Sequence, residues 1–118
     1  MINRPDIKRA IPKRRYSLGE FIVVVLGEIE SGDAADYRWI LAVVREGESE
    51  PGMYLTCEAA PRSMREQGRF ALRLILPDGA EIIGVGDEWG ELDAFADEGI
   101  RIVKSLLDLS DQEAWRLL

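Results

Sequence analysis

Residues 69–86 read RFALRLILPDGAEIIGVG, and this stretch decides the fold. Every second residue from 70 to 76 is large and apolar, which is the period of a strand that buries one face. The tripeptide PDG at 77–79 combines a proline that presets a turn, an aspartate that hydrogen-bonds its own backbone and a glycine. The stretch therefore predicts an antiparallel hairpin of strands 69–76 and 80–85.

Three apolar segments precede this hairpin, and each has the length and composition of a strand. They cover residues 17–29, 37–45 and 53–58, and polar connections separate them. The middle of the first, FIVVVL, is apolar on both faces, which is typical of a strand that is covered on both sides or lies at an interface. Along 37–45, the odd-numbered residues from Tyr37 are predicted on one face and the even-numbered residues from Arg38 on the other.

Residues 91–108 form the main predicted helix. Apolar residues recur there every three or four positions, and acidic residues come early and basic ones late, as the helix dipole favours. The sequence SDQE at 110–113 is a capping box that predicts a short last helix carrying Trp115 and Leu117. The predicted fold class is thus α+β: an antiparallel five-stranded β-meander followed by a long amphipathic helix packed on the sheet and a short C-terminal helix.

Charge is distributed unevenly along the 118 residues. Residues 1–16 carry six basic side chains and one acidic one, although the formal net charge of the whole chain is −7. They also contain two prolines and no hydrophobic period, so they predict a basic, flexible N-terminal arm. Residues 17–118 are predicted to form a single α+β domain, and their negative charge repels nucleic acid and anionic lipid as a whole.

The chain contains no histidine and one cysteine, Cys57. The commonest general base and the commonest zinc ligand are therefore missing, and no internal disulfide is possible. No apolar run reaches the roughly 20 residues that a membrane helix needs. We accordingly assign no catalytic residue, no metal ligand and no cofactor, expect no membrane partner, and predict a cytoplasmic protein in which Cys57 is a buried structural thiol.

The segment GVGDEWG at 84–90 has the glycine-rich appearance of a phosphate-binding turn before a helix. Three carboxylates, on Asp87, Glu88 and Glu91, surround the predicted helix N-terminus and would repel a phosphate. We interpret the glycines as the end of a strand followed by a bend, with Asp87 as the N-cap of the helix.

The predicted order of antiparallel strands followed by a helix on the sheet resembles the layout of PC4-like and whirly-type single-stranded DNA-binding proteins. The approach to the helix, GVGDEWGELDAF, is also faintly similar. The resemblance covers roughly residues 17–108 and implies a sheet face whose basic and aromatic residues bind single-stranded DNA. This chain departs from that pattern, because Tyr37 and Trp39 alternate with aliphatic residues and Arg38 and Arg73 are isolated.

These observations predict a small, non-enzymatic binding or assembly module that forms a homodimer, because two terminal helices cannot cover both faces of a five-stranded sheet. Its expected partner is a second copy or another protein, through a surface that includes Trp39, Trp115 and Leu117. One alternative is single-stranded nucleic-acid binding through the basic arm and a sheet edge. The contacts expected for it are Lys8, Arg9, Lys13, Arg14 and Arg15. The other alternative is a small-ligand-binding protein or an enzyme that uses aspartate or glutamate chemistry, with Glu20 and Glu58 as candidates.

Overall fold

One antiparallel sheet and one helix make up the fold in the computed structural model, which describes residues 4–118. The strands are β1 (Ile7–Leu18), β2 (Phe21–Ser31), β3 (Tyr37–Arg45), β4 (Met53–Ala59), β5 (Phe70–Leu76), β6 (Gly79–Gly86) and β7 (Trp115–Arg116), and the helix is α1 (Leu92–Leu106). Their order across the sheet is β6-β5-β4-β3-β2-β1-β7. Six strands therefore follow one another as a meander, and β7 joins the outer side of β1.

The predicted α+β class, with an antiparallel sheet and one main helix, is confirmed, but the prediction of five strands is wrong because the sheet has seven. The five predicted strands correspond to β2 through β6. The PDG hairpin is present, since Leu76 pairs with Gly79 across it. The two additional strands lie at the two ends of the chain.

The first additional strand, β1, takes up residues 7–16 of the segment predicted as a flexible arm, whose residues 1–3 lie outside the described residues. It pairs with β2 from Ile7 to Leu18, with three shifts of register. Because of its many charged residues and Pro12, it lacks the hydrophobic period that would indicate a strand in the sequence. The same features are those by which edge strands avoid pairing with other molecules.

The second additional strand, β7, lies where the sequence predicts a short helix, and that prediction is wrong. Residues 115 and 116 pair with β1, and the Leu117 N–H donates a hydrogen bond of 2.7 Å to the Arg15 carbonyl oxygen. A helix of one or two turns has little stability of its own. The hydrogen-bonding groups along the edge of β1 therefore outweigh the local capping signal.

Helix α1 packs across one face of the sheet, which we call the helix face. Phe95, Ala96 and Val103 are buried there against apolar residues of strands β1 to β5. The helix approaches closely at Gly99, where an added Cβ would lie 2.5 Å from the Leu41 Cδ1 atom. Leu106, in the last turn of the helix, is 48% exposed.

The opposite face of the sheet, the second face, is partly covered by the chain's own N-terminal hairpin. Beyond the pair Leu26 and Ile40, β2 separates from β3 but stays paired with β1 as far as Ser31. Ile7 and Ile29 of this hairpin pack against the second face. The residues buried there are Ile40, Ala42, Tyr54 and Ile75. The chain thus covers part of the second face itself, although the sequence predicts that its helices leave one face for a partner.

A one-residue bulge changes the predicted alternation of side chains at the start of β3. Tyr37 pairs with Glu58 and Trp39 with Cys57, so Arg38 is an extra residue in β3. Tyr37 therefore packs against the cluster on the second face, although it was predicted to share a face with Trp39. Bulges re-aim side chains in this way and are frequent beside functional sites.

Candidate functional site

An open cleft of about 740 Å³ lies at the end of the sheet where β2 and β3 separate. We call it the sheet-end cleft. Its lining residues are Lys13, Glu28, Ile29, Asp36, Tyr37, Arg38, Trp39, Ala59, Arg69, Phe70, Asp87, Gly90 and Glu91. The volume is within the range of roughly 300–1,000 Å³ that is usual for small-molecule sites.

Trp39 and Arg38 are fixed side by side in this cleft. The Trp39 Nε1–H donates a hydrogen bond of 3.1 Å to the Trp89 carbonyl oxygen, and the Arg38 Nε–H donates one of 3.0 Å to the Gly90 carbonyl oxygen. The Arg38 guanidinium carbon lies 4.8 Å from the centre of the Trp39 ring. The bulge brings these consecutive residues to the same side, so the guanidinium lies over the indole, a favourable cation–π geometry.

The wall of the cleft beside Trp39 depends on glycine. A Cβ at Gly27 would lie 2.7 Å from the Cζ3 atom of the Trp39 ring and 3.0 Å from Lys13 side-chain carbons. The next residue, Glu28, has a φ of 49° and forms an ion pair with Lys13. A positive φ is unfavourable for glutamate, and such conformations concentrate at functional sites and tight bends.

Charges of both signs line the cleft, and two pairs neutralise each other. Lys13 pairs with Glu28, and the Arg69 Nε atom lies 3.6 Å from the Asp87 carboxylate. Arg38, Asp36 and Glu91 have no ion-pair partner within residues 4–118. Sequence reasoning treated Arg38 as an isolated residue and missed its position in the cleft, because only the bulge places it there.

The two carboxylates considered for acid chemistry occupy different environments. Glu20 is exposed and accepts a hydrogen bond of 2.7 Å from Arg45. Glu58 is buried, accepts a hydrogen bond of 2.6 Å from the Thr56 hydroxyl and lies 3.2 Å from the Arg73 Nε atom. The two residues belong to different strands, and neither lines the sheet-end cleft.

Cys57 lies buried beneath the cleft, as the sequence suggested. Its Sγ atom is 3.4 Å from the Trp89 carbonyl oxygen, as expected of a thiol that donates a weak hydrogen bond. Burial raises the pKa of the Cys57 thiol to about 12. A thiol that stays protonated at neutral pH is a poor nucleophile, so its contribution is to packing.

The raised pKa of Cys57 makes stability depend on alkaline pH. In the unfolded chain the thiol ionises near its ordinary value of 9.0, whereas the folded protein keeps the proton up to about pH 12. Unfolding therefore releases a proton within this window, and raising the pH favours the unfolded state. Between pH 8 and pH 10 we expect a loss of about 1.4 kcal/mol from this group.

Urea unfolding at the two pH values, with wild type and Cys57→Ala, measures this loss. The other titratable groups are the same in both proteins. The difference between the two proteins in how the free energy of unfolding changes with pH is therefore the contribution of the Cys57 thiol. Identical pH dependences would show that Cys57 is accessible in the folded state.

The predicted basic contacts lie on β1, and most are paired with the protein's own carboxylates. The pairs are Lys8 with Asp6, Arg9 with Glu30, Lys13 with Glu28 and Arg14 with Asp93. Arg15 has no ion-pair partner within the described part of the chain. Phosphate binding would have to compete with these internal pairs, and nucleic-acid binding remains a prediction.

The predicted interaction surface is divided between two places. Trp39 is 8% exposed on the helix face, whereas Trp115 and Leu117 are 64% and 57% exposed at the edge of β1. Trp115 pairs with Ser17, and the same row of paired residues runs on across the sheet through Ile22 to Val44. Val44 is five residues from Trp39 along β3, a separation of about 17 Å at the usual rise of a strand.

Trp115 and Leu117 lie on a part of the second face that the N-terminal hairpin leaves uncovered, and Ser17 and Arg15 of β1 lie between them and the apolar residues of β2. Ser17 lies between Tyr16 and Leu18, which belong to the core on the helix face, so Ser17 and its partner Trp115 face the other way. Half-buried aliphatic residues extend this region across β2 and β3. We call the whole set the apolar strip: Ile22, Val24, Val44, Trp115 and Leu117.

The segment GVGDEWG forms a bend, as interpreted, but Asp87 does not cap the helix. α1 begins at Leu92 after a single 3-10 turn, Glu88–Gly90. The Asp87 Oδ1 atom instead accepts a hydrogen bond of 2.7 Å from the Arg69 backbone N–H. The aspartate thus ties the start of β5 to the end of β6.

Comparisons with known proteins give no family assignment, since the chain matches no protein-family model, no curated protein and no solved structure. Within residues 4–118, no helix is long and apolar enough to cross a membrane. The same residues contain no group of three or more carboxylate or thiol side chains placed to hold a metal ion.

Proposed function

We propose that this protein is a small, cytoplasmic, non-enzymatic binding and assembly module that forms a homodimer through the apolar strip. The observation that supports this proposal is the exposure of Trp115 and Leu117 beside half-buried aliphatic residues of the second face. Large apolar side chains that are exposed on one face of a protein are typical of interaction sites. Tryptophan is also among the residues that contribute most to binding energy when an interface buries them.

The charges around the strip favour a second copy as the partner. Asp111 and Glu113 precede Trp115 in the chain, whereas Arg15 lies next to Leu117, whose N–H bonds to the Arg15 carbonyl oxygen. A two-fold axis near Trp115 would bring the acidic end of one copy against the basic end of the other. Such self-complementarity is what an isologous dimer interface requires.

We expect the wild-type protein to sediment as a dimer at micromolar concentration, and Trp115→Ser to weaken the dimer at least tenfold. The reason is that a buried tryptophan at the centre of an interface commonly contributes about 2 kcal/mol or more. Sedimentation equilibrium over a range of concentrations measures the dissociation constant. Ile83→Ser is the matched control, because Ile83 is 41% exposed on β6 at the opposite edge of the sheet.

A charge exchange tests the orientation of the two copies. Glu113→Arg and Arg15→Glu should each weaken the dimer, because like charges then meet across the two-fold axis. The double variant should restore it, since the pairs are exchanged. A wild-type protein that stays monomeric at micromolar concentration, or a dimer unaffected by Trp115→Ser, would contradict the proposed interface.

A further inference from the structure

One cationic and two anionic side chains that form no ion pair with one another line the sheet-end cleft. Arg38, Asp36 and Glu91 all line it, yet no two of them lie within ion-pair distance. The remaining charged residues of the lining are paired, Lys13 with Glu28 and Arg69 with Asp87. The cleft therefore presents separate sites for a negative and a positive group of a ligand.

Arg38 is oriented in advance for a carboxylate. Its Nε–H donates a hydrogen bond to the Gly90 carbonyl oxygen, and its guanidinium carbon lies over the ring of Trp39, which itself bonds to the Trp89 carbonyl oxygen. The two terminal nitrogens make no hydrogen bond to residues 4–118. A guanidinium fixed in this way can donate two parallel hydrogen bonds to a carboxylate with little further loss of side-chain entropy.

The two free carboxylates complement an ammonium group. Neither Asp36 nor Glu91 forms a side-chain hydrogen bond or an ion pair within the described residues. Tyr37 and Phe70 add aromatic surface to the same cleft. Charged groups of both signs beside aromatic walls suit a molecule that carries both charges on an apolar body.

We infer that the sheet-end cleft binds a zwitterionic ligand, either a free α-amino acid or a short peptide with free ends. Arg38 receives its carboxylate, and Asp36 and Glu91 receive its ammonium group. The site lies at the opposite end of the strands from the apolar strip. It therefore adds a ligand to the proposed assembly function and does not depend on the homodimer.

Titration of ¹⁵N-labelled protein with single amino acids and with dipeptides, at millimolar concentration, tests this inference. We expect saturable shifts of the Arg38 amide and the Trp39 indole N–H resonances. Shifts with free amino acids identify these as the source of the ligand, and shifts with dipeptides alone identify peptides. The amide of the binding compound lacks the carboxylate and its N-acetyl form lacks the ammonium group, so each should bind at least tenfold more weakly.

Variants assign the two roles. Arg38→Met should weaken binding at least tenfold, whereas Arg45→Met should not, because Arg45 also stacks on an aromatic ring, Phe21, but lies outside the cleft. Asp36→Asn should weaken binding of the zwitterion and leave binding of its N-acetyl form unchanged. Asp97→Asn on the exposed face of α1 is its control.

Three results would overturn the inference. The first is the absence of shifts with every amino acid and dipeptide. The second is equal binding of the amide and N-acetyl forms, and the third is unchanged affinity in Arg38→Met. The sedimentation result for the wild-type protein is independent of all three, so a failure here is distinguishable from a failure of the proposed homodimer.

Discussion

Phe95→Ala is expected to lower the free energy of unfolding by about 3–5 kcal/mol, the usual cost of removing a buried phenylalanine ring. Phe95 is fully buried at the contact between α1 and the sheet, where its neighbours belong to the helix-face core. Adjacent strands and the helix cannot close over the missing ring, because the sheet fixes the positions of the strands. A single domain of this size is typically stable by about 5–15 kcal/mol, so the change removes a large part of the total.

Urea unfolding followed by tryptophan fluorescence measures this loss, since the chain contains three tryptophans. Leu106→Ala is the control on the same helix, because Leu106 is 48% exposed and its truncation should cost below about 1 kcal/mol. A loss of similar size in both variants would contradict the packing of α1 on the sheet. It would indicate that Phe95 is no more buried than Leu106, because replacement by alanine raises helix propensity and cannot itself cause the loss.

Local patterns were sufficient for the central part of the fold. β3 spans Tyr37–Arg45, the range given by its alternation of side chains, and the PDG turn joins β5 to β6 as its residues require. Helix α1 lies within the predicted range 91–108. In each case the hydrophobic period and the turn residues indicate the same structure, so local and tertiary preferences agree.

The ends of the chain required information that no local pattern contains. β1 is a charged strand next to the edge of the sheet, and its pairing with β2, not a local pattern, defines it. At the C-terminus, SDQE favours a helix locally, but the unpaired edge of β1 offers hydrogen bonds to Leu117 and Leu118. Non-local pairing of this kind overrides a weak local signal.

The sheet-end cleft was also beyond local reasoning. It opens because β2 leaves β3 after Leu26 and because one extra residue, Arg38, shifts the register of β3. Because the bulge follows the first residue of β3, it reverses the face of Tyr37 alone, and a shift of one residue is too short to detect in the hydrophobic period. The tripeptide YRW therefore has the pattern of an ordinary strand, which predicts Arg38 and Trp39 on opposite faces, although the two residues lie together in the cleft.

Gly68→Ala is expected to lower the free energy of unfolding by about 3 kcal/mol, at the upper end of the cost of overpacking. A Cβ on Gly68 would lie 2.5 Å from the Cα atom and 2.6 Å from the N atom of Gly86. These are backbone atoms at the end of β6, so no side-chain rotation can relieve the clash. Displacement of Gly68 would also strain the hydrogen bonds that hold Arg69 to Ala60 and Asp87.

Gly52→Ala is the matched control for Gly68→Ala, because nothing lies within 4 Å of a Cβ at Gly52 and its φ is not positive. Its stability should stay within about 0.5 kcal/mol of wild type in the same urea experiment. Since Asp87 and Arg69 line the sheet-end cleft, the displacement in Gly68→Ala should also weaken the ligand binding inferred above. Equal stability of the two glycine variants would mean that β6 and the segment before β5 do not approach as closely as described.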